Sequence, residues 1–347
     1  MLGIDARAAR STWTAALVVL ALWLVYLMRS TLLIFILAVL FAYLLAPLVN
    51  LLDRLLPTSR TRTPALALAY ILLVGLVVLG AIVLGSKVAE QATQLASVFP
   101  QRFPVWVASF QAHVPDSLKT EVAARSNDFF AALPQFGLKF LTLASNLIYV
   151  VIIPVLAFFF LKDGAAIRDH VLTLVEAGPR HKLLNDVMAD IHLLLAHYMR
   201  ALVLLSAVAF AAYSIFFSVL GIPFGILLAA LAASLEFIPT LGPLVASAII
   251  LLVAAVTGGH LLAIVIFIVA FRMFQDYLMA PHLMGQGVEL HPLLVLFGVF
   301  AGAEVAGVAG AFLSVPLLAL ARVLYLRMRR TRISRAATQE SGGGGET

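Results

Sequence analysis

Long runs of apolar residues without Asp, Glu, Lys or Arg recur along the sequence at about the length of a membrane-spanning helix. A helix needs about 20 apolar residues to cross a bilayer core about 30 Å thick. Eight uncharged runs approach or exceed that length: residues 11–28, 30–52, 64–86, 140–161, 201–235, 237–271, 290–303 and 305–321. The pattern predicts an all-α polytopic integral membrane protein with eight hydrophobic segments in total.

Two of these runs, 201–235 and 237–271, hold 35 residues each and are too long for one straight helix. Gly221 and Pro223 interrupt the first run, and Thr-Gly-Gly-His at 257–260 interrupts the second. Because glycine and proline are the strongest breakers of helical pattern, we expect the chain to turn at both places. Gly221 and Pro223 are therefore candidate hinge residues.

Between the spans predicted at 200–220 and 260–280, residues 222–256 form an interrupted segment. The sequence Glu-Phe-Ile-Pro-Thr-Leu-Gly-Pro at 236–243 separates two apolar arms. Each arm holds about 12 residues, or roughly 18 Å of helix, so neither arm crosses the bilayer alone. The segment is either a re-entrant hairpin or a single kinked crossing.

The last apolar region has the same character, since Gly302 and Gly307 bracket the lone carboxylate Glu304. Gly302 and Gly307 are therefore further candidate hinge residues. The pattern as a whole therefore predicts about six full spans plus two interrupted helical segments. Glu236 and Glu304 occupy corresponding places in the two interruptions, which hints at a duplicated element. The side of the membrane on which the loop at 281–289 lies distinguishes the two arrangements. Two hairpins place this loop inside the cell, and two crossings place it outside.

Segments of mixed polarity divide the apolar regions from one another. Residues 87–139 and 162–199 carry charges of both signs among apolar residues, as amphipathic helices at an interface do. The predicted organisation is N-terminal spans 1–3 at 1–86, an extracytoplasmic amphipathic segment at 87–139, span 4 at 140–161, a cytoplasmic amphipathic segment at 162–199, a transport core at 200–325 and a basic cytoplasmic tail at 326–347.

Composition agrees with lipid as the solvent, because 63% of residues are hydrophobic and only 12% are charged. The net charge of +6 is concentrated in arginines that follow apolar segments, so nucleic acid is not an expected partner. Arginines at 7 and 10, and at 54, 60 and 62, lie where cytoplasmic anchoring charges belong. We therefore expect both termini inside the cell.

Lone charges within apolar surroundings are the candidate functional residues. Glu236 follows one 35-residue uncharged run and precedes another, and a charge at membrane depth is costly and usually functional. Transporters place binding sites at broken helices, so Pro239, Gly242 and Pro243 join Glu236 as candidates. The alternative is that this loop reaches the interface and Glu236 is solvated. Glu304 has the same two interpretations, the second being a close packing turn.

A second polar group ends the run 237–271. Arg272 and Asp276 are i,i+4 neighbours that can pair on one helix face, and Gln275 lies beside them. This group is either a gate or coupling-ion site, or an interfacial ion pair that ends a span. Pro281 and Gly285 follow as candidate hinges.

No catalytic or cofactor motif is visible. The chain has no cysteine, no phosphate-binding loop, no Gly-x-Ser-x-Gly elbow and no His-Glu-x-x-His. His192 and His197 are five residues apart, a poor match to one helix face. We expect no enzyme activity, no metal and no cofactor.

The sequence resembles the autoinducer-2 exporter family of permeases from about residue 32 to 324. The resemblance rests on an ordered set of short motifs: Leu44 to Val49, Ile153-Pro154-Val155, Phe160 to Gly164, Gly221-Ile222-Pro223, Glu236 to Pro243, Asp276 to Pro281 with Gly285, His291-Pro292-Leu293, and Gly307, Gly310 and Pro316. The chain departs from the family where Tyr277 follows Asp276 and where Ala201 follows Arg200. These departures fall at a polar contact and at a close helix contact that the family pattern implies.

The resemblance implies a secondary transporter of the bacterial cytoplasmic (inner) membrane, with lipid bilayer and a small-molecule solute as partners and a homo-oligomeric state. It implies export of an autoinducer-2-like signalling molecule or sodium–proton antiport, with proton or sodium coupling. Fold alone does not determine cargo. A channel and a non-transporting membrane scaffold are the alternatives of another class.

Overall fold

The computed structural model describes residues 6–55, 63–112, 147–284 and 290–342, and these form helices and turns without a strand. The helices are α1 (Ala6–Leu27), α2 (Arg29–Leu55), α3 (Thr63–Gly80), α4 (Ser86–Ala112), α5 (Leu147–Thr173), α6 (Pro179–Val219), α7 (Gly225–Leu235), α8 (Leu241–Thr257), α9 (Leu261–Phe274), α10 (Ala280–Met284) and α11 (Pro292–Gly342). The candidate hinge Gly285, most of the loop at 281–289, residues 113–139 of the mixed segment, the start of the span at 140–161 and the last five residues lie outside the described residues.

Five helices of the described chain are long and apolar enough to cross a membrane: Arg10–Leu27, Arg29–Leu55, Pro179–Val219, Leu261–Leu283 and Pro292–Arg329. Shorter apolar helices cover Leu66–Gly75, Gly225–Leu235 and Leu241–Thr257. The prediction of an all-α polytopic architecture is therefore confirmed, while six full spans are more than the five helices that meet these criteria.

Large apolar side chains cover the outside of the fold. In α1, Trp13 is 69% exposed and Trp23 is 59% exposed. Soluble proteins rarely expose contiguous apolar surface of this extent, so the exposed side chains indicate contact with lipid. This agrees with the low content of charged residues.

Helix α6 is the centre of the packing. Its middle part contacts α2 and α11 through Leu195, Met199 and Leu202. Its second half carries Tyr213 and Phe217 into a core shared with α4, α7, α8 and α9. A separate small core joins α2, α3 and α5.

The mixed segment 162–199 is not a separate element in the structure. Its first part continues α5 as far as Thr173, and its second part is the beginning of α6. Arg327 of α11 donates to both carboxylate oxygens of Asp190, at 2.7 and 2.9 Å. This bidentate contact places the basic end of α11 and the start of α6 at the same end of the fold.

Helices α7 and α8 fold back toward each other around the interruption at Glu236–Thr240. The ends of these two helices that lie away from the interruption both contact α4. Gln91 Oε1 accepts from the backbone N–H of Leu227 at 2.9 Å, and Arg102 donates to the Thr257 carbonyl at 3.1 Å. Gln91 and Arg102 lie about 16 Å apart along α4, whereas a straight rod from Leu227 to Thr257 is about 45 Å long. We call residues 225–257 the first hairpin.

Helix α11 contains the second hairpin, which comprises residues 292–329. The backbone leaves helical geometry at Ala306 and Gly307, where Gly307 has φ +60°. The arms 292–305 and 308–329 pack so closely that a Cβ on Gly302 would strike the backbone of Gly310, and a Cβ on Gly298 would strike Leu318. Small residues permit this approach in membrane helices.

We expect Gly302→Ala to lower the free energy of unfolding by about 1–3 kcal/mol, because the added methyl group overlaps rigid backbone rather than a movable side chain. Gly164→Ala is the matched control, since a Cβ there meets nothing within 4 Å. Denaturant titration in detergent micelles measures both variants. Equal stability of the two variants would contradict the packing of the second hairpin.

Candidate functional site

A cavity of about 230 Å³ lies between the tip of the first hairpin (residues 236–240), α6, α9 and the second hairpin. The predicted site residues that line it are Glu236, Pro239, Pro243, Arg272, Gln275 and Asp276. Its remaining lining is Tyr198, Leu202 and Leu205 of α6, Thr240 of the tip, and Leu290, Val295 and Val315. The structure thus brings together two charged groups that are far apart in the sequence.

Arg272 is the centre of the polar contacts in this cavity. Its guanidinium lies 3.3 Å from Glu236 Oε1 and donates to Asp276 Oδ1 at 2.9 Å. It also donates to Gln275 Oε1 at 3.0 Å. The pair with Glu236 connects the tip of the first hairpin to α9. The i,i+4 pair with Asp276 connects only two neighbouring turns of one helical segment.

Burial differs sharply between the two carboxylates. The Glu236 side chain is 9% exposed, while that of Asp276 is 52% exposed. Gln275 is buried and donates to Glu236 at 3.3 Å. Glu236 therefore depends on protein partners for its charge, whereas Asp276 is solvated where it meets Arg272.

A local change of helical pitch sets the positions of Gln275 and Asp276 on their helical segment. Residues Gln275–Met279 form a π-helical turn at the end of α9. Pro281 cannot donate a backbone hydrogen bond to the carbonyl four residues earlier, which lies within this turn. Such π-turns occur frequently at functional sites.

The tip of the first hairpin is a tight turn under strain. Thr240 has φ +65°, which is unfavourable for a β-branched residue. A Cβ on Gly242 would strike the carbonyl of Leu235, so the turn closes only around glycine. Phe237 of the tip lies 6.1 Å from Phe312, ring centroid to ring centroid, and this contact joins the tip to the second hairpin.

The other predicted site residues lie away from the cavity. Glu304 is exposed near the turn of the second hairpin, where Gly302 packs and Gly307 turns. Gly221, with φ +61°, begins the turn from α6 to α7, and Pro223 is exposed in the same turn. Within the described residues, no group of three His, Asp or Glu side chains could hold a metal ion.

Sequence reasoning missed the cavity residues contributed by α6. Tyr198 lies among apolar neighbours in the middle of that helix, and no local motif distinguishes it from a core aromatic residue. Thr240 was inside the predicted interruption, but its backbone strain has no signature in the sequence.

The fold and the cavity define a class: a multi-pass helical membrane protein with a half-open, partly charged cavity at interrupted helices. Such proteins commonly move solutes across the membrane. Residues 15–330 match the family described as AI-2E family transporter, and the chain belongs to that family.

The proteins to which this chain is similar include three named as putative transport proteins. YrrI of Bacillus subtilis (strain 168) is 26% identical over 52% of this chain and 51% of its own length. MT0215 of Mycobacterium tuberculosis (strain CDC 1551 / Oshkosh) is 32% identical over 46% of this chain and 44% of its own. YueF of Bacillus subtilis (strain 168) is 23% identical over 83% of this chain and 81% of its own. The chain thus spans about half the length of the first two relatives.

Proposed function

We propose that this protein is a secondary transporter of the bacterial cytoplasmic membrane that exports a small solute of the autoinducer-2 kind. The observation that carries this proposal is the cavity in which Arg272 joins the hairpin tip at Glu236 to α9. Leu205, on the wall of the cavity, lies about 20 Å from the end of α6 at Val219. That depth suits a binding site near the middle of a bilayer.

The proposed topology has six full spans and two hairpins that enter from opposite sides. Helices α1, α2, α3, α5, α6 and α9 are the spans in this proposal. The first hairpin follows the outer end of α6, and the second follows the inner end of α9. The contact between Arg327 and Asp190 supports a common side for the basic tail and the start of α6, which the positive-inside rule assigns to the cytoplasm.

The proposed mechanism uses the pair between Arg272 and Glu236 as the connection that holds the hairpin tip against α9. A proton or sodium ion that neutralises Glu236 removes the attraction, and the tip is then free to move. Two carboxylates face one guanidinium in this cavity. This excess of negative charge supports cation coupling, and it makes sodium–proton antiport the second candidate function.

The test is solute flux in everted vesicles with imposed pH and sodium gradients, using autoinducer-2, protons and sodium as probes. Glu236→Gln keeps the shape of the side chain and removes its charge, so we expect flux to fall about tenfold or more and to lose its dependence on the gradient. Glu304→Gln is the matched control, because Glu304 is the other lone glutamate and lies outside the cavity.

Unchanged flux and unchanged gradient dependence in Glu236→Gln would overturn the role of the cavity. Flux of protons and sodium without autoinducer-2 would favour the antiporter. Flux that does not saturate with concentration would favour a channel, and wild-type vesicles that move none of the three probes would favour a scaffold. The homo-oligomeric state is a separate proposal, measured by the mass of the protein in detergent.

A further inference from the structure

The hydroxyl group of Tyr198 is a buried polar atom without a hydrogen-bond partner among the described residues. The residue is 4% exposed. Of the described side chains, only Ser214 shares this condition. Buried polar groups in folded proteins are nearly always hydrogen-bonded, so an unsatisfied hydroxyl calls for an explanation.

Packing does not explain why this position holds a hydroxyl. Tyr198 lies in an apolar cluster with Leu40, Leu195 and Leu313. A phenylalanine would fill the same volume without burying an unsatisfied oxygen. The hydroxyl therefore points to a partner that this conformation of the protein does not supply.

The same side chain lines the cavity that holds Glu236 and Arg272. The charged groups occupy the part of the lining formed by the hairpin tip and α9. The part formed by α6 and the second hairpin is apolar, with Leu202, Leu205 and Val315, apart from Tyr198. A solute in the cavity would thus find a neutral hydrogen-bonding group within its apolar lining.

We propose that the Tyr198 hydroxyl hydrogen-bonds the transported solute once the tip of the first hairpin has moved and uncovered it. The atom of the solute that bonds the Tyr198 hydroxyl is a hydroxyl or carbonyl oxygen. The solute is uncharged or cationic, because two carboxylates oppose one guanidinium in the cavity. This assignment rests on the proposed function and names Tyr198 as a residue that determines specificity.

The first experiment measures whether position 198 reaches the solute path. The chain has no cysteine, so Tyr198→Cys and Ser214→Cys each carry a single thiol. Both are reconstituted in vesicles and treated with the cationic reagent 2-aminoethyl methanethiosulfonate. Because modification follows access, we expect Tyr198→Cys to react about tenfold faster than Ser214→Cys. Equal rates in the two variants would overturn the proposal whether or not a transported solute is known.

The second experiment tests the sign of the charge in the cavity. Tyr198→Cys is treated with the anionic reagent 2-sulfonatoethyl methanethiosulfonate, and both rates are normalised to those of free cysteine. We expect the normalised rate to be higher for the cationic reagent than for the anionic one. Glu236→Gln in the same background should reduce this difference in rate. A preference for the anionic reagent would overturn the proposed solute class.

The third experiment measures binding through transport of autoinducer-2. Tyr198→Phe removes only the hydroxyl, so we expect the half-saturating concentration to rise about five- to tenfold with little change in maximal rate. Ser214→Ala removes the second buried, unpartnered hydroxyl of the described residues and lies outside the cavity, so its half-saturation is expected to match the wild type. An unchanged half-saturation in Tyr198→Phe would overturn the proposal. If the wild type moves no autoinducer-2, the proposed function fails, and the thiol experiment still decides whether position 198 lies on the path open to a solute.

Discussion

Replacing Arg272 with alanine is expected to lower the free energy of unfolding by about 3 kcal/mol and to abolish coupled flux. Arg272 carries the charge that faces Glu236, whose side chain is 9% exposed. Removing one partner of a buried ion pair costs about 3–5 kcal/mol, and the lower end applies because Arg272 is itself 32% exposed. The loss reflects a carboxylate left buried without its cation.

A double-mutant cycle separates this effect from the loss of side-chain packing. In Arg272→Ala combined with Glu236→Gln, no charge is left unpaired at the tip, so we expect much of the stability to return. Asp276→Asn is the control for the second carboxylate. Because Asp276 is 52% exposed, this substitution should change the free energy of unfolding by less than about 1 kcal/mol. Denaturant titration in detergent measures the four proteins of the cycle and the Asp276→Asn control. Additive effects in the cycle would show that Arg272 and Glu236 do not interact.

The interruptions of the helices could be predicted because their causes are local. Glycine with positive φ lies at Gly221, Gly258 and Gly307, and each position falls within a break expected from the sequence. The i,i+4 pair of Arg272 with Asp276 was predictable for the same reason, since helical geometry alone brings the two residues together.

The contacts that build the cavity could not be predicted, because they join distant parts of the chain. The pair of Arg272 with Glu236 depends on how the first hairpin packs against α9. The place of Tyr198 depends on which face of α6 meets the second hairpin. An apolar helix that faces lipid on one side and protein on the other has little polar contrast, so its sequence does not reveal its buried face.

Contacts between distant parts of the chain also explain why the two lone glutamates differ. Both follow a long apolar run and lie at a break, so the sequence treats them alike. Glu236 is held by Arg272 and Gln275, whereas Glu304 is exposed beside a turn made by closely packed glycines. A lone charge in an apolar sequence is therefore a candidate, and the charged partner that packing brings to it makes the stronger case for function.

Gly242→Ala is expected to reduce flux more than tenfold and to lower the free energy of unfolding by about 3 kcal/mol, the upper end of the usual cost of overpacking. The added methyl group would overlap the carbonyl of Leu235, which is backbone and cannot turn aside. The tip would then lose its closed form, and Glu236 would move away from Arg272. The effect on flux would arise without any change of charge in the cavity.

Gly259→Ala is the matched control at the other end of α8, because a Cβ there makes ordinary contacts of 3.5–3.6 Å with Ala254. Flux per folded protein in vesicles and denaturant titration in detergent measure both variants. Equal behaviour of the two variants would contradict the closed turn. If Gly242→Ala resembles Arg272→Ala in flux while Gly259→Ala resembles the wild type, transport requires the position of the hairpin tip as well as the charge that it carries.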